Sequence, residues 1–301
     1  MKIAMIGLGD IAQKAYLSIL TQLDNVQLVF CTRDNETLMR LAKKYRVNKL
    51  YQDYRMLKKE DIDAVMIHSS TASHPMIAAY FLQQGIATFV DKPLADNAFD
   101  CEKLYDLAEK HNVPLYMGFN RRFIPLYQQH KLNEQLLSLR WEKNRFNLPA
   151  ALRTFIFDDF IHPLDSVNLY AKNNIEDIHL VSQFKGDQLA RLDIQWEQQG
   201  SLLHASMNRC YGTTNEVVSF NYENCSYQFD SFTSGKKWQA NQQTDLRLAD
   251  WTPMLSSKGF SAMIEDWLSV VALGKLESHI MKRNLATHQL AELICQKVGM
   301  V

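Results

Sequence analysis

The stretch KIAMIGLGDIA, residues 2–12, runs from a short apolar segment into two glycines one residue apart, and the chain continues as IAQKAYLSILTQL with apolar residues at helical spacing. A strand, a glycine turn and a helix in direct succession form the setting that a Gly-x-Gly-x-x-Ala fingerprint requires. The first glycine makes the turn, the second lets backbone approach a pyrophosphate, and the small third residue lets helix and strand pack closely. The helix N-terminus offers N–H groups to the anion. Glycine is scarce, 11 of 301 residues against an average of about 7%, so this spacing carries weight. Gly7, Gly9, Asp10 and Ile11 are therefore candidate dinucleotide contacts; the plainer alternative is a tight strand–helix turn with no ligand.

Downstream, the runs VQLVFCT, DAVMIHS, IATFVDK and PLYMGF have strand length, and ETLMRLAKKY, MIAAYFLQQ and CEKLYDLAEKH have helical periodicity. Five strands alternating with four helices predict a buried parallel sheet in a doubly wound α/β domain. The tip of the second strand, FCTRDNET at 30–37, faces the adenosine ribose in such a fold. It carries no acid to accept from a 2′-hydroxyl, whereas Arg33 beside Thr32 suits a 2′-phosphate. NADP is thus favoured over NAD. Asp34, one residue further, either competes for the ribose or caps the next helix.

Beyond residue 120 the texture changes. LSLRWEKNRF, IHLVSQF, LARLDIQWEQ, LLHASMNRC, EVVSFNYE and SYQFDSF are strand-like, and SAMIEDWLSVVAL and RNLATHQLAELICQKV are amphipathic helices. A large, mostly antiparallel sheet in an α+β domain follows, with the domains drawn at 1–119 and 120–301. Lysine plus arginine and aspartate plus glutamate balance at 33 each, which removes the electrostatic drive for nucleic-acid or anionic-membrane binding. Five cysteines without a C-x-x-C pair argue against a zinc ribbon or a disulfide framework. With no apolar run of membrane length and no signal-peptide pattern at the start, the expectation is a cytoplasmic protein with a small-molecule substrate.

FDDFIHPLD, residues 157–165, places three carboxylates and one imidazole within nine positions. Asp158, His162 and Asp165 offer mixed oxygen and nitrogen donors if they share a helical face, although no further ligand cluster accompanies them. Alternatively Asp158 or Asp159 caps a helix and His162 is a first-turn residue, a reading to which Pro163 contributes because proline suits a first turn. In the third reading His162 is an acid/base group, with Asp158 one turn away fixing its tautomer.

HSSTASH at 68–74, VDKPLA at 90–95 and GFNRRF at 118–123 lie at strand ends. Together with the glycine fingerprint and Asp158-x-x-x-His162-x-x-Asp165, they resemble the Gfo/Idh/MocA oxidoreductases, notably the MviM-like branch, over essentially the whole chain. The resemblance implies a Rossmann domain followed by an α+β domain, and hydride transfer between NAD(P) and a sugar, polyol or related hydroxy or keto compound. It implies that Lys92 of Asp91-Lys92-Pro93 polarises the substrate oxygen, that His162 exchanges the proton and that Asp158 orients it. It assigns Ser69, Thr71, His74, Asp91 and Asn120 to the cofactor, and suggests a homodimer or homotetramer built on the second-domain sheet. Where many relatives are glycine-rich before the aspartate, this chain has ALRTFIF, so sugar specificity does not transfer. Arg121, Arg122 and Arg153 suggest an anionic substrate. A catalytically silent NAD(P)-binding sensor and an NAD-dependent glycoside hydrolase are the competing functions.

Overall fold

β1 (Lys2–Ile6) is buried along four of its five positions because it lies inside a sheet covered on both faces. The computed structural model describes residues 1–128 and 135–300. Around β1 it assembles β2 (Gln27–Cys31), β3 (Leu50–Tyr51), β4 (Ala64–Ile67), β5 (Ala87–Val90) and β6 (Leu115–Met117) into an all-parallel sheet of order β3-β2-β1-β4-β5-β6. The expected five strands are all present, and the two-residue β3 is an addition too short to show a period.

Register decides what this sheet can do. Cys31 pairs with Ile6, Ile6 with Ile67, Ile67 with Val90 and Val90 with Met117, so five strands end at one level. The residues that follow, Thr32, Gly7, His68, Asp91 and Gly118, therefore leave the sheet along one carboxyl edge. Strand order reverses between β1 and β4, which makes that edge the topological switch point where open α/β sheets bind ligands.

A π-helical turn, Ala12–Tyr16, leads into α1 (Leu17–Leu20), and α2 (Asn35–Tyr45), α3 (His74–Leu82) and α4 (Ala98–His111) follow the next strands. Asp34 accepts from Glu36 N at 3.1 Å to cap α2, and Asn97 accepts from Asp100 N at 2.8 Å to cap α4. By compactness the chain divides into Met1–Phe119 with Phe260–Met281, and Asn120–Gly259 with Lys282–Val301. Residues 260–281, expected in the second domain, thus group with the first. The reason is aromatic packing: Trp267 lies 5.8 Å from Phe89 and 5.5 Å from Tyr116, and Tyr116 Oη donates to Asp266 at 2.7 Å.

The second unit carries α5 (Pro125–Gln128), β7 (Ser138–Phe146), α6 (Ile161–Val167), β8 (His179–Lys185), β9 (Gln188–Gln198) and β10 (Ser201–Tyr211). β11 (Asn215–Tyr222), β12 (Cys225–Asp230), β13 (Ser234–Gln239), β14 (Gln242–Arg247) and α7 (Met254–Ser257) follow, before α8 (Phe260–Leu273) and α9 (Ser278–Gly299). The eight strands run β14-β13-β12-β11-β7-β10-β9-β8, antiparallel except for β7 beside β10. Their inner face, which includes Trp141, Val218 and Phe220, is buried, and α6 lies against β7 and β10. β13 and β14 were not expected: SGKKWQ and QQTDLR are largely polar and sit at an edge, where little apolar surface needs covering.

Candidate functional site

The nucleotide half is built by β1 and its glycines. Gly7 has φ +86°, and a Cβ there would lie 2.6 Å from Ser69 N, so only glycine fits against the end of β4. A Cβ on Gly9 would meet nothing within 4 Å, leaving that backbone approachable from outside. Gln13 N bonds to Gly9 O at 3.1 Å, which starts the helix immediately after the second glycine and aims its first N–H groups at the same edge. These features fit a dinucleotide pyrophosphate. Asp10 and Ile11 are exposed there, Asp10 pairing with Lys14 at 2.9 Å.

At the tip of β2, Thr32 N bonds to Tyr51 O at 3.0 Å, and Arg33 is exposed. Asp34 is engaged as the cap of α2, its carboxyl held below the ordinary value by Thr37 and by the helix-start amides. Of the two sequence readings of Asp34, the structure has the capping one. That leaves Arg33 as the charged side chain next to the strand end.

Lys92 follows β5 and is half-buried; the Lys92–Pro93 peptide is cis. Asp91 is turned inward instead of toward solvent. Its carboxylate accepts from Lys92 N at 2.8 Å and lies 3.7 Å from His68 Nδ1. Burial opposes its ionisation, but His68 and then Lys92 hold the carboxyl below the usual range. Ser69 and Ser73 hydroxyls bond at 2.7 Å, and Thr71 lies between them in a short 3₁₀ turn. His74 is buried, with a backbone carbonyl oxygen 2.9 Å from each of its ring nitrogens.

In the second unit, FDDFIHPLD does not begin a helix. Helical structure starts at Leu152, runs as a π-helix over Thr154–Phe160 and continues as α6, so Asp158 and His162 lie within one helix and the capping reading falls. The wide π turn separates the two acids. Asp158 is exposed, whereas Asp159 is buried, ion-paired with Lys143 and bonded by Arg145 at 2.9 and 3.0 Å. Burial opposes Asp159's charge, but Lys143 and then Arg145 hold its carboxyl far below the carboxylate range. Burial and the nearby Arg121 push the Lys143 ammonium down to about 7, against the pull of Asp159 and Glu216.

Asp165 is consumed structurally. Arg122 donates to it at 2.6 and 2.9 Å, Thr287 at 3.2 Å, and Arg283 bonds its backbone carbonyl. Its carboxylate is therefore turned toward arginines, which removes it from a metal site shared with Asp158 and His162. His162 is buried, and Arg121 Nη1 lies 3.4 Å from its Nδ1 and 3.3 Å from its Nε2. The same guanidinium pairs with Glu216 and donates to Asn120 Oδ1 at 3.2 Å. Asn120 in turn donates to Lys258 O at 2.8 Å, and Gly259 at φ +80° packs so closely that a Cβ would lie 2.3 Å from Asn120 O. Arg153 is tied to Glu292 at 2.7 and 3.0 Å. All three arginines expected to meet an anionic substrate have carboxylate partners within the chain.

The first 119 residues match the model of the oxidoreductase family with an NAD-binding Rossmann fold. A solved Gfo/Idh/MocA family oxidoreductase from Vibrio cholerae is 57% identical, with a TM-score of 0.97 over 100% of this chain and 98% of that one. The chain belongs to the Gfo/Idh/MocA oxidoreductases. A solved dehydrogenase (MviM) from Clostridium difficile is 26% identical with a TM-score of 0.90, covering 100% and 99% of the two chains. The myo-inositol 2-dehydrogenase of Thermotoga maritima is 27% identical over 195 residues, 63% of this chain and 56% of that protein. The match spans about half the length of the curated relatives.

In this Gfo/Idh/MocA protein the polar shell around His162 was largely missed from sequence. Glu216 pairs with Lys143 across β11 and β7, and burial opposes its charge while Arg121 and then Lys143 hold its carboxyl below the ordinary value. A signal existed: Lys143 follows Leu139 and Trp141, and Glu216 precedes Val218 and Phe220, in the inward phase of period-2 strands.

Proposed function

We propose that the protein is an NADP-dependent dehydrogenase or reductase acting at the CH–OH or C=O centre of a sugar, polyol or related hydroxy or keto compound. Family membership supplies the class of reaction, and the name of the Thermotoga maritima relative supports a polyol. The observation that carries the reading is the carboxyl edge of the parallel sheet, where Gly7 and Gly9 follow β1, Arg33 follows β2 and Lys92 follows β5, strands that end at one level.

The nicotinamide, when bound, accepts or supplies the hydride. Gly7 and Gly9 would let backbone approach the pyrophosphate, Arg33 would hold the 2′-phosphate, and Ser69, Thr71, Asp91 and Asn120 are the further residues that would hold the cofactor. Lys92 polarises the reacting oxygen with its ammonium. His162 takes the hydroxyl proton in oxidation and returns it in reduction, with Asp158 orienting the ring. A cytoplasmic homodimer or homotetramer is part of the same proposal; among the described residues no helix is long and apolar enough to cross a membrane.

The test is a panel of carbonyl and alcohol compounds followed by nicotinamide absorbance with both cofactor pairs. NADPH is expected to support turnover better than NADH, and His162→Ala and Lys92→Ala to bind NADPH while losing roughly 10²-fold or more in kcat. Unimpaired turnover in His162→Ala would remove it from the mechanism. Cofactor retained through purification without net consumption would point to the hydrolase instead.

A further inference from the structure

His74 opens α3 with a ring only 2% exposed. Its Nδ1 lies 2.9 Å from the carbonyl oxygen of Pro93 and its Nε2 lies 2.9 Å from that of Ser69. Carbonyl oxygens accept and never donate. A neutral imidazole has one N–H and one lone pair, so it satisfies one of these contacts and sets lone pair against lone pair in the other. Such a mismatch on a ring this buried carries the desolvation penalty of an unmade hydrogen bond. The imidazolium has an N–H for each carbonyl.

We propose that His74 is a positioning residue, a latch whose doubly protonated ring ties the Lys92–Pro93 turn to the loop after β4 and whose neutral ring releases one of the two ties. The two carbonyls belong to the segments that carry Lys92 on one side and Ser69 and Thr71 on the other. Only the catalytic consequence rests on the function proposed above; the latch itself stands on the geometry of one imidazole and two carbonyls.

The charged and titratable groups facing the ring are few. Burial favours the neutral form and is the largest influence; the Pro93 and Ser69 carbonyls and the Asp91 carboxylate favour the cation, and His68 opposes it. The position at the start of α3 also disfavours positive charge. The balance lies below the ordinary histidine value. The cation therefore accumulates on the acid side of neutrality, and one tie is lost as pH rises through the transition.

Long-range proton–nitrogen NMR of the uniformly labelled protein between about pH 5 and 8, the range in which histidine switches, tests the latch. Expected are two protonated ring nitrogens on His74 at the acid end, and one transition shared in midpoint by the Lys92 and Ser70 backbone amides. That shared response should vanish in His74→Gln. Should the variant fail to fold, ring assignment among the nine histidines of the wild type decides the same point. One unchanging tautomer across the range, or Lys92 and Ser70 amides indifferent to His74, would overturn the proposal. An intact latch in a protein whose Lys92→Ala variant turns over normally would leave the latch standing and remove Lys92 from the chemistry.

Discussion

The Nζ of Lys143 lies 3.3 Å from the carbonyl oxygen of Asp159, and Pro163, four residues on, has no N–H to offer that oxygen. One buried lysine thus answers both a proline in a helix and the carboxylate of the same residue. Lys143→Met is expected to cost about 3 kcal/mol, since it strips a partner from a buried carboxylate that keeps Arg145 and Arg209. Pro163→Ala restores an N–H, so the double variant should lose less than the two single losses added together. Urea titrations of the four proteins measure this, and strict additivity would mean that the carbonyl tie contributes nothing.

Stability should also respond to pH through Lys143. Its folded-state value of about 7 lies below its ordinary one, so between the two the unfolded chain binds more protons than the native protein. The lysine's contribution is therefore fully favourable above its unfolded value and is lost as pH falls through about 7. Unfolding free energy of the wild type relative to Lys143→Met should climb from pH 7 toward pH 9, by up to about 1.4 kcal/mol per pH unit. A flat difference would show that Asp159 keeps the ammonium charged throughout.

The two glycines of the first turn should separate folding from binding. In Gly7→Ala a Cβ meets Ser69 N at 2.6 Å from a backbone at φ +86°, so a loss above about 2 kcal/mol is expected together with loss of cofactor binding. Gly9→Ala meets nothing within 4 Å. It should leave thermal unfolding within about 1 kcal/mol of the parent while weakening NADPH roughly tenfold, because the added methyl faces the approaching pyrophosphate. Equal calorimetric stability of the two variants would contradict the first half, and unchanged NADPH titration of Gly9→Ala the second.

These contrasts show where sequence reading has reach. The glycine fingerprint, the apolar parallel strands and the change of texture after residue 120 are local patterns, and each became the element it suggested. Counting four residues to His162 singled out Asp158 as the orienting acid, a count that assumes an α-helix where Thr154–Phe160 is π-helical. The partners Lys143, Arg145 and Glu216 come from β7 and β11, whose pairing is a long-range fact that no local period encodes. β13 and β14 escaped notice for the opposite reason: edge strands with little to bury show little alternation.

The proposed preference for NADP turns on two adjacent residues that do different work. Asp34 spends its carboxylate on the amide of Glu36 at the start of α2, while Arg33 stands exposed at the tip of β2. Arg33→Ala should therefore weaken NADPH about tenfold or more, the equivalent of one charge-assisted contact to a phosphate, and leave NADH nearly unchanged. Asp34→Ala should loosen the first turn of α2 without moving the NADPH-to-NADH ratio, because its side chain is committed to the helix. Fluorescence titrations of both cofactors against both variants separate the possibilities. A ratio that shifts in Asp34→Ala and not in Arg33→Ala would assign the ribose to the aspartate and make the protein an NAD enzyme.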